Sequence, residues 1–158
     1  MKNNLFFKLL VSLGLSGLAG AIVSIFTVSA ISNWYIYLNN SALNPPDFVF
    51  GPVWTILYIF MGIAMFLVWQ KGLEKKEVRT ALKVFLFQLF LNILWSVFFF
   101  GFKDIFAAFF GIIALWFAVL ATILSFAKIS RLAFWLLIPY ILWISFAAYL
   151  NYSIWLLN

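Results

Sequence analysis

The stretch IFAAFFGIIALWFAVLATILSFA, residues 105–127, decides the class of fold because none of its side chains is charged. A helix rises about 1.5 Å per residue, so an apolar run of this length crosses a bilayer core of about 30 Å. The whole chain shares this bias, since 67% of its 158 residues are hydrophobic and 9% are charged. Too little polar surface remains for a water-soluble globule, and the sequence predicts an integral membrane protein.

Four further apolar segments are long enough to span a membrane. Short polar links join most of them, and the shortest link, 102–104, forces its two helices to run antiparallel. The prediction is an all-α membrane protein, with residues 1–158 forming a single domain that is one bundle of five transmembrane helices. The predicted helices are 5–32, 50–70, 81–101, 105–127 and 132–156, with a long first loop over 33–49.

The first segment resembles a cleavable secretory signal, because lysines precede its apolar run. The run exceeds the roughly 7–15 residues of a signal core, so we expect an uncleaved helix. Small residues recur at every fourth position, which places them on one helix face and allows another helix to approach closely. We favour packing within the bundle over a homodimer interface, and a homodimer stays open. The small residues are Ser12, Ser16, Gly20 and Ser24.

The basic residues lie almost entirely on one side of the predicted bundle. The positive-inside rule makes that side cytoplasmic, so we expect a multi-pass protein of the cell membrane with a cytoplasmic N-terminus. The net charge of +6 also attracts anionic membrane lipids. The charges are scattered over short loops without a recognition motif, and no nucleic-acid partner is expected. The crowded side carries Lys2, Lys8, Lys71, Lys75, Lys76, Arg79, Lys83, Lys128 and Arg131, against Lys103 on the other side.

Missing residue types exclude several kinds of chemistry. The sequence has no His and no Cys, the usual metal ligands, and His is also the commonest general base. We therefore expect no metal site, no required cofactor and no hydrolase or transferase centre. A proton-driven carrier is also disfavoured, because such proteins need carboxylates or histidines inside the membrane. The four acidic residues instead lie in loops or at their edges: Asp47, Glu74, Glu77 and Asp104.

Two helix faces place neutral polar groups and indoles inside the hydrocarbon. At about 1.5 Å per residue, the deep members of these faces lie in the same outer half of the bundle, under the first loop. Hydrogen bonding between helices is one explanation. A pocket for a flat, largely apolar, aromatic ligand is the other. The faces are Gln88, Asn92 and Ser96 with Trp95 in the third helix, and Tyr140, Trp143, Ala147 and Asn151 in the fifth.

The stretch NPPDFVFGPVWTILY, residues 44–58, leads from the first loop into the second helix. Pro45 and Pro46 favour an extended, pre-ordered backbone, which predicts a lid over the outer half of the bundle. Trp54 and Tyr58 fall on one face of the helix that follows, since they are four residues apart. We expect them to form a wall of the pocket.

Four motifs in this order resemble the tryptophan-rich sensory protein (TspO/MBR) family, which includes the mitochondrial translocator protein. They are WYIYLNN at 34–40, PPDFVFGPVWTILYIFMG at 45–62, QLFLNILWSVFFFG at 88–101 and LLIPYILWISFAAYLNYSIW at 136–155. The resemblance implies a five-helix bundle, often a homodimer, that binds porphyrins and related hydrophobic molecules under the first loop.

The resemblance also assigns roles to individual positions. The family's pocket matches Trp54, Asn92, Trp95, Trp143 and Ala147, with Tyr58, Tyr140 and Asn151 as less certain members. Some bacterial members degrade protoporphyrin in light, and their two implicated tryptophans match Trp54 and Trp143, which makes these the candidate catalytic residues.

This chain departs from the family pattern at two places. Ser41-Ala42-Leu43 stands where the family has Pro-Ser-Trp, so an indole of the loop is missing. The chain after Tyr152 lacks the basic residue of a cholesterol-type motif. A sensor for porphyrin-like ligands is the favoured function. A passive transporter, a light-dependent porphyrin-degrading protein and a structural membrane subunit remain as alternatives.

Overall fold

The computed structural model describes residues 2–158 and has five long helices, each apolar enough to cross a membrane. No strand occurs within the described range. This confirms the predicted all-α membrane protein with five transmembrane helices. The Lys2 side chain, counted above on the basic side, lies outside the described part. The helices are α1 (Lys2–Asn33), α2 (Phe50–Trp69), α3 (Lys76–Ser96), α4 (Ile105–Ala127) and α5 (Arg131–Leu157).

Helix α3 differs most from its predicted bounds. It begins at Lys76, five residues before the predicted start at 81, because a helix can continue into charged residues once it has left the hydrocarbon. At its other end the chain widens into a π-helical segment, Val97–Gly101, in which the amide of Phe102 donates to the carbonyl of Val97 at 2.8 Å. Such wide turns are rare and occur often at functional sites.

Side chains cap the first turns of α4 and α5. The Asp104 carboxylate accepts a hydrogen bond from the Ala107 amide at 2.9 Å, and the Ser130 hydroxyl accepts one from the Ala133 amide at 3.2 Å. Each cap satisfies a backbone donor that the helix cannot satisfy itself. The caps therefore allow short links to reverse the chain at both ends of the bundle.

In the bundle, α2 packs against α1 and α5, while α4 packs against α3 and α5. We call the end that carries residues 34–49 the first-loop end, and the end with residues 70–75 and 128–130 the basic end. The basic half is closely packed around a stacked pair of rings, Phe85 and Phe126, whose centroids are 5.7 Å apart. The first-loop half is not filled in this way.

The first loop is fastened to the end of α5. The Asn39 amide donates to the side-chain oxygen of Asn158 at 3.0 Å, and the Asn158 amide group donates back to the Asn39 carbonyl at 3.0 Å. The hydroxyls of Ser41 and Tyr149 lie 3.0 Å apart and form a second link. These bonds hold the loop across the first-loop end of the bundle.

Candidate ligand-binding site

A cavity of about 740 Å³ occupies the first-loop half of the bundle. Helices α1, α2 and α5, the π-helical end of α3 and one residue of the first loop provide its walls. The volume falls within the range of about 300–1,000 Å³ that is typical of sites for small molecules. Its position, under the first loop, is the one expected from the sequence.

The structure brings six of the eight predicted site residues to the surface of this cavity. They come from three helices, and three of them are tryptophans. The six are Trp54, Tyr58, Trp95, Trp143, Ala147 and Asn151.

Aromatic rings form a continuous layer along one wall. Trp54 stacks on Tyr58 with ring centroids 5.7 Å apart, and its ring lies 6.1 Å from that of Trp95. Trp143, which also lines the cavity, meets Phe50 edge to face at 6.0 Å. Rings in offset and edge-to-face pairs of this kind stabilise one another.

The indole N–H groups of Trp95 and Trp143 differ in their hydrogen bonding. Trp95 donates its Nε1–H to the side-chain oxygen of Asn151 at 3.1 Å, and Asn151 in turn donates to the carbonyl of Ile105 at 3.0 Å. Trp143 also buries its Nε1, but that atom has no hydrogen-bond partner among residues 2–158. A buried donor without an acceptor carries a cost in stability.

The two remaining predicted residues, Asn92 and Tyr140, are not at the cavity surface. They lie buried behind Tyr58, whose hydroxyl donates to the side-chain oxygen of Asn92. The Asn92 amide group donates to the Tyr140 hydroxyl at 2.9 Å, and that hydroxyl donates to Gln88 at 2.8 Å. Their polar groups satisfy each other, which is why neither turns towards the cavity.

The predicted lid residues, Pro45 and Pro46, also lie outside the cavity wall. The residue that the first loop contributes to the wall is Tyr35, which is 4% exposed and donates its hydroxyl to Asn44 at 2.8 Å. Burial, followed by the nearby Asp47 carboxylate, raises the pKa of Tyr35 to about 12, although the bond to Asn44 acts in the opposite direction. The Tyr35 side chain is therefore uncharged at neutral pH, where it forms part of the cavity wall.

Sequence reasoning missed most of the wall that α1 provides. Nine lining residues belong to α1, including the small residues Gly17, Gly20 and Ala21. Their small size was the available signal, but the same pattern also fits close helix packing. Phe99 and Phe100 were missed as well, because the π-helical segment that brings both into the wall depends on tertiary packing.

The cavity opens sideways between α1 and α2. Several of its lining residues on these two helices are exposed on the outside of the bundle, including Val28 at 70% and Ile59 at 46%. Towards the basic end the two helices converge. A Cβ atom at Gly62 would lie 3.0 Å from the Leu13 Cα, so only glycine permits this contact, and the contact closes the floor of the cavity.

Five membrane-spanning helices, four of which line an aromatic cavity, define the class, a multi-pass α-helical membrane protein with an apolar internal site. Residues 12–156 match the TspO/MBR family. The chain therefore belongs to the TspO/MBR family, whose members bear names that describe tryptophan-rich sensory proteins and translocators.

Named relatives support this assignment over most of the chain. Tryptophan-rich protein TspO of Chlorobaculum tepidum is 42% identical over 156 residues, which is 99% of each chain. The protein of the same name from Archaeoglobus fulgidus is 40% identical over 90% of this chain and 89% of its own. The human Translocator protein is 37% identical over 77% of this chain and 73% of its own.

Proposed function

We propose that this protein is a membrane sensor that binds porphyrins, or similar flat hydrophobic molecules, in the cavity at the first-loop end. The observation that carries the proposal is an internal cavity of about 740 Å³ whose walls include Trp54, Trp95 and Trp143. Ring faces of this kind bind a flat ligand by stacking.

The shape of the cavity favours sensing over passage across the bundle. The cavity ends at the contact between Gly62 and Leu13, and the half beyond it is filled by side chains such as Met61 and Phe85, both 0% exposed. A ligand that enters from the side therefore binds at a closed end. The sideways opening is suited to ligands that arrive from the lipid, because most of the exposed residues around it, such as Val28 and Ile59, are apolar.

We place the protein in the cell membrane with its basic end in the cytoplasm. Short loops with many cations favour the cytoplasmic side, and the cations at the basic end include Lys71, Lys75, Lys76, Lys128 and Arg131. The first-loop end, and the cavity with it, then face outwards. Labelling of single cysteines introduced at Ser41 and Leu73, which is 46% exposed, with a reagent that cannot cross membranes, tests this. Only the cysteine at 41 should react in intact cells, and labelling at 73 alone would reverse the orientation.

The proposed binding is tested by titrating the purified protein in detergent with protoporphyrin in the dark, following tryptophan emission. We expect saturable quenching and a loss of affinity of about tenfold or more in Trp143→Ala. Trp135→Ala is the matched control, because Trp135 lies on the same helix but is 58% exposed and outside the cavity. Quenching no greater than in empty micelles, or equal affinities in the two variants, would overturn the proposal.

Light-dependent degradation of the bound porphyrin is a second candidate function, favoured because Trp54 and Trp143 line the same cavity. Both indoles would then be close to one ligand, and dissolved dioxygen would be the oxidant. Illumination of the complex should bleach the porphyrin spectrum in the wild type but not in Trp54→Phe or Trp143→Phe. A spectrum that is stable in the wild type would leave binding alone.

A further inference from the structure

A chain of four hydrogen bonds runs from the cavity wall into the core. Tyr58 donates to the oxygen of Asn92, and the Asn92 amide group donates to the Tyr140 hydroxyl at 2.9 Å. Tyr140 donates to the oxygen of Gln88 at 2.8 Å, and the Gln88 amide group donates to the sulfur of Met61 at 3.7 Å. Of the five residues, only Tyr58 lines the cavity.

Met61 decides in which direction this chain runs. A thioether sulfur accepts hydrogen bonds and cannot donate them, whereas an amide group and a hydroxyl can do both. The Gln88 side chain is 0% exposed, so its oxygen needs a donor within the protein; the Tyr140 hydroxyl can supply one and the sulfur cannot, which leaves the N–H₂ group to donate to the sulfur. The opposite orientation would bury a carbonyl oxygen against sulfur with no donor for it.

The orientation of Gln88 then fixes which groups donate and accept at Tyr140, Asn92 and Tyr58 in turn. Tyr140 uses its single hydrogen on Gln88, so its oxygen accepts from the Asn92 amide group. The oxygen of Asn92 is then left for Tyr58, which uses its own hydrogen there. The Tyr58 oxygen keeps its lone pairs but has no hydrogen left to donate.

We propose that Met61, acting through Gln88, Tyr140 and Asn92, makes Tyr58 a hydrogen-bond acceptor in the cavity wall, so that the site prefers flat apolar ligands carrying an N–H donor. The inference rests on the proposed binding function and specifies the ligand class. Metal-free porphyrins belong to that class, because they carry pyrrole N–H groups. Met61 is a positioning residue here, since it does not line the cavity.

The test uses two flat tricyclic probes of nearly equal shape, carbazole and dibenzofuran, in which an N–H group replaces an oxygen atom. Binding to the purified protein in detergent is measured by quenching of tryptophan emission, and each affinity is expressed relative to partition into protein-free micelles. We expect the wild type to bind carbazole about fivefold more tightly, which is the usual worth of one hydrogen bond.

Variants separate the acceptor from the residue that orients it. Tyr58→Phe removes the acceptor and should bring the ratio of affinities to about one. Met61→Leu keeps the volume but removes the sulfur, so the chain can run either way and the ratio should fall to about twofold. Met65→Leu is the matched control, because Met65 is buried on the same helix and receives no hydrogen bond from residues 2–158. It should keep the wild-type ratio.

Each failure has a separate meaning. Saturable binding of both probes with equal affinity would overturn the inference and leave the proposed binding function in place. A ratio that persists in Tyr58→Phe would place the acceptor elsewhere, and a wild-type ratio in Met61→Leu would remove Met61 from its role. Binding of neither probe beyond micelle partition would overturn the binding function itself, and the inference with it.

Discussion

The two halves of the bundle are built from the same five helices but solve different packing problems. In the basic half, rings and aliphatic side chains interlock, as Phe85 and Phe126 do, and side chains such as Val68 are 0% exposed. In the first-loop half, large rings line the walls and leave a space of about 740 Å³ between them. The difference does not lie in hydrophobicity, because both halves are apolar.

What differs is the partner that each glycine faces. Gly62 faces the backbone of Leu13, so the two helices touch, whereas Gly17 has no other atom within 4 Å of the place where its Cβ would stand. Gly20 lies between these extremes, since a Cβ there would lie 2.8 Å from the Tyr58 ring. Gly62 thus lets α1 and α2 touch, which closes the floor of the cavity. Gly17, at another level of α1, leaves open space that widens the cavity.

The largest expected effect comes from Gly62→Ala. The added Cβ would lie 2.9 Å from the Leu13 Cδ2 and 3.0 Å from its Cα, and a backbone cannot move aside as a side chain does. Overpacking of this kind should lower the free energy of unfolding by about 2 kcal/mol. Thermal unfolding in detergent measures it.

Gly17→Ala is the control from the other half. The new methyl group enters open space, and alanine favours the helix, so stability should be equal or greater by up to about 1 kcal/mol. Equal losses of stability in both variants would contradict the contrast between the halves.

The next effect distinguishes the two indoles. Trp143→Phe removes an N–H without a partner among residues 2–158 and reduces the ring surface that lines the cavity, so stability should be unchanged while affinity for protoporphyrin falls about fivefold. Trp95→Phe should instead lower the free energy of unfolding by about 1 kcal/mol, because Asn151 loses its donor. Paired titration and unfolding curves measure both quantities. A stability loss in Trp143→Phe alone would show that the assignment is inverted.

A smaller effect is expected where the first loop meets α5. Asn158→Ala removes two hydrogen bonds to Asn39, both exposed, so the stability cost should be about 0.5 kcal/mol. Because the loop covers the cavity, ligand dissociation should become about twofold faster, which stopped-flow quenching measures. Ser29→Ala, on an exposed part of α1 outside the cavity, is the control. An unchanged dissociation rate would mean that the loop does not gate the site.

The smallest effect is a pH dependence at Tyr35. Its pKa is raised to about 12 from an ordinary value near 10. The neutral phenol is the form favoured by folding, so its stabilisation is complete below about pH 10 and is lost as the pH rises through about 12. Between about pH 10 and 12, the free energy of unfolding of Tyr35→Phe should fall less than that of the wild type, as measured by unfolding at successive pH values. Parallel curves would exclude a role for this phenol.

Much of the fold was predictable because bilayer thickness fixes helix length. All five helices lie where uninterrupted apolar segments indicated them, although the charged first turn of α3 could not be read from hydropathy. The π-helical turn at Val97–Gly101 could not be predicted from the sequence either. Hydrogen bonds between residues five apart depend on packing against other elements, for which the local sequence carries no signal.

The site was only partly predictable from residue types. Depth identified Trp95 and Trp143, because indoles far from the interface need a reason to be there, and the four-residue spacing from Tyr58 identified Trp54. Residue type did not say whether Asn92 faces the ligand or a neighbouring helix, since both environments satisfy an amide. It also did not separate a recess in α1 from a packing face, because Gly17 and Gly20 suit either.

The opening between α1 and α2 has a consequence for what affinity means in this protein. If the opening faces acyl chains, the ligand is drawn from a two-dimensional reservoir whose content is set by its solubility in lipid. Two ligands with the same dissociation constant expressed per mole of lipid would then occupy the cavity equally at equal loads in the membrane, whatever their concentrations in water. Occupancy would report the load of a compound dissolved in the bilayer, and the relevant unit of concentration is moles per mole of lipid.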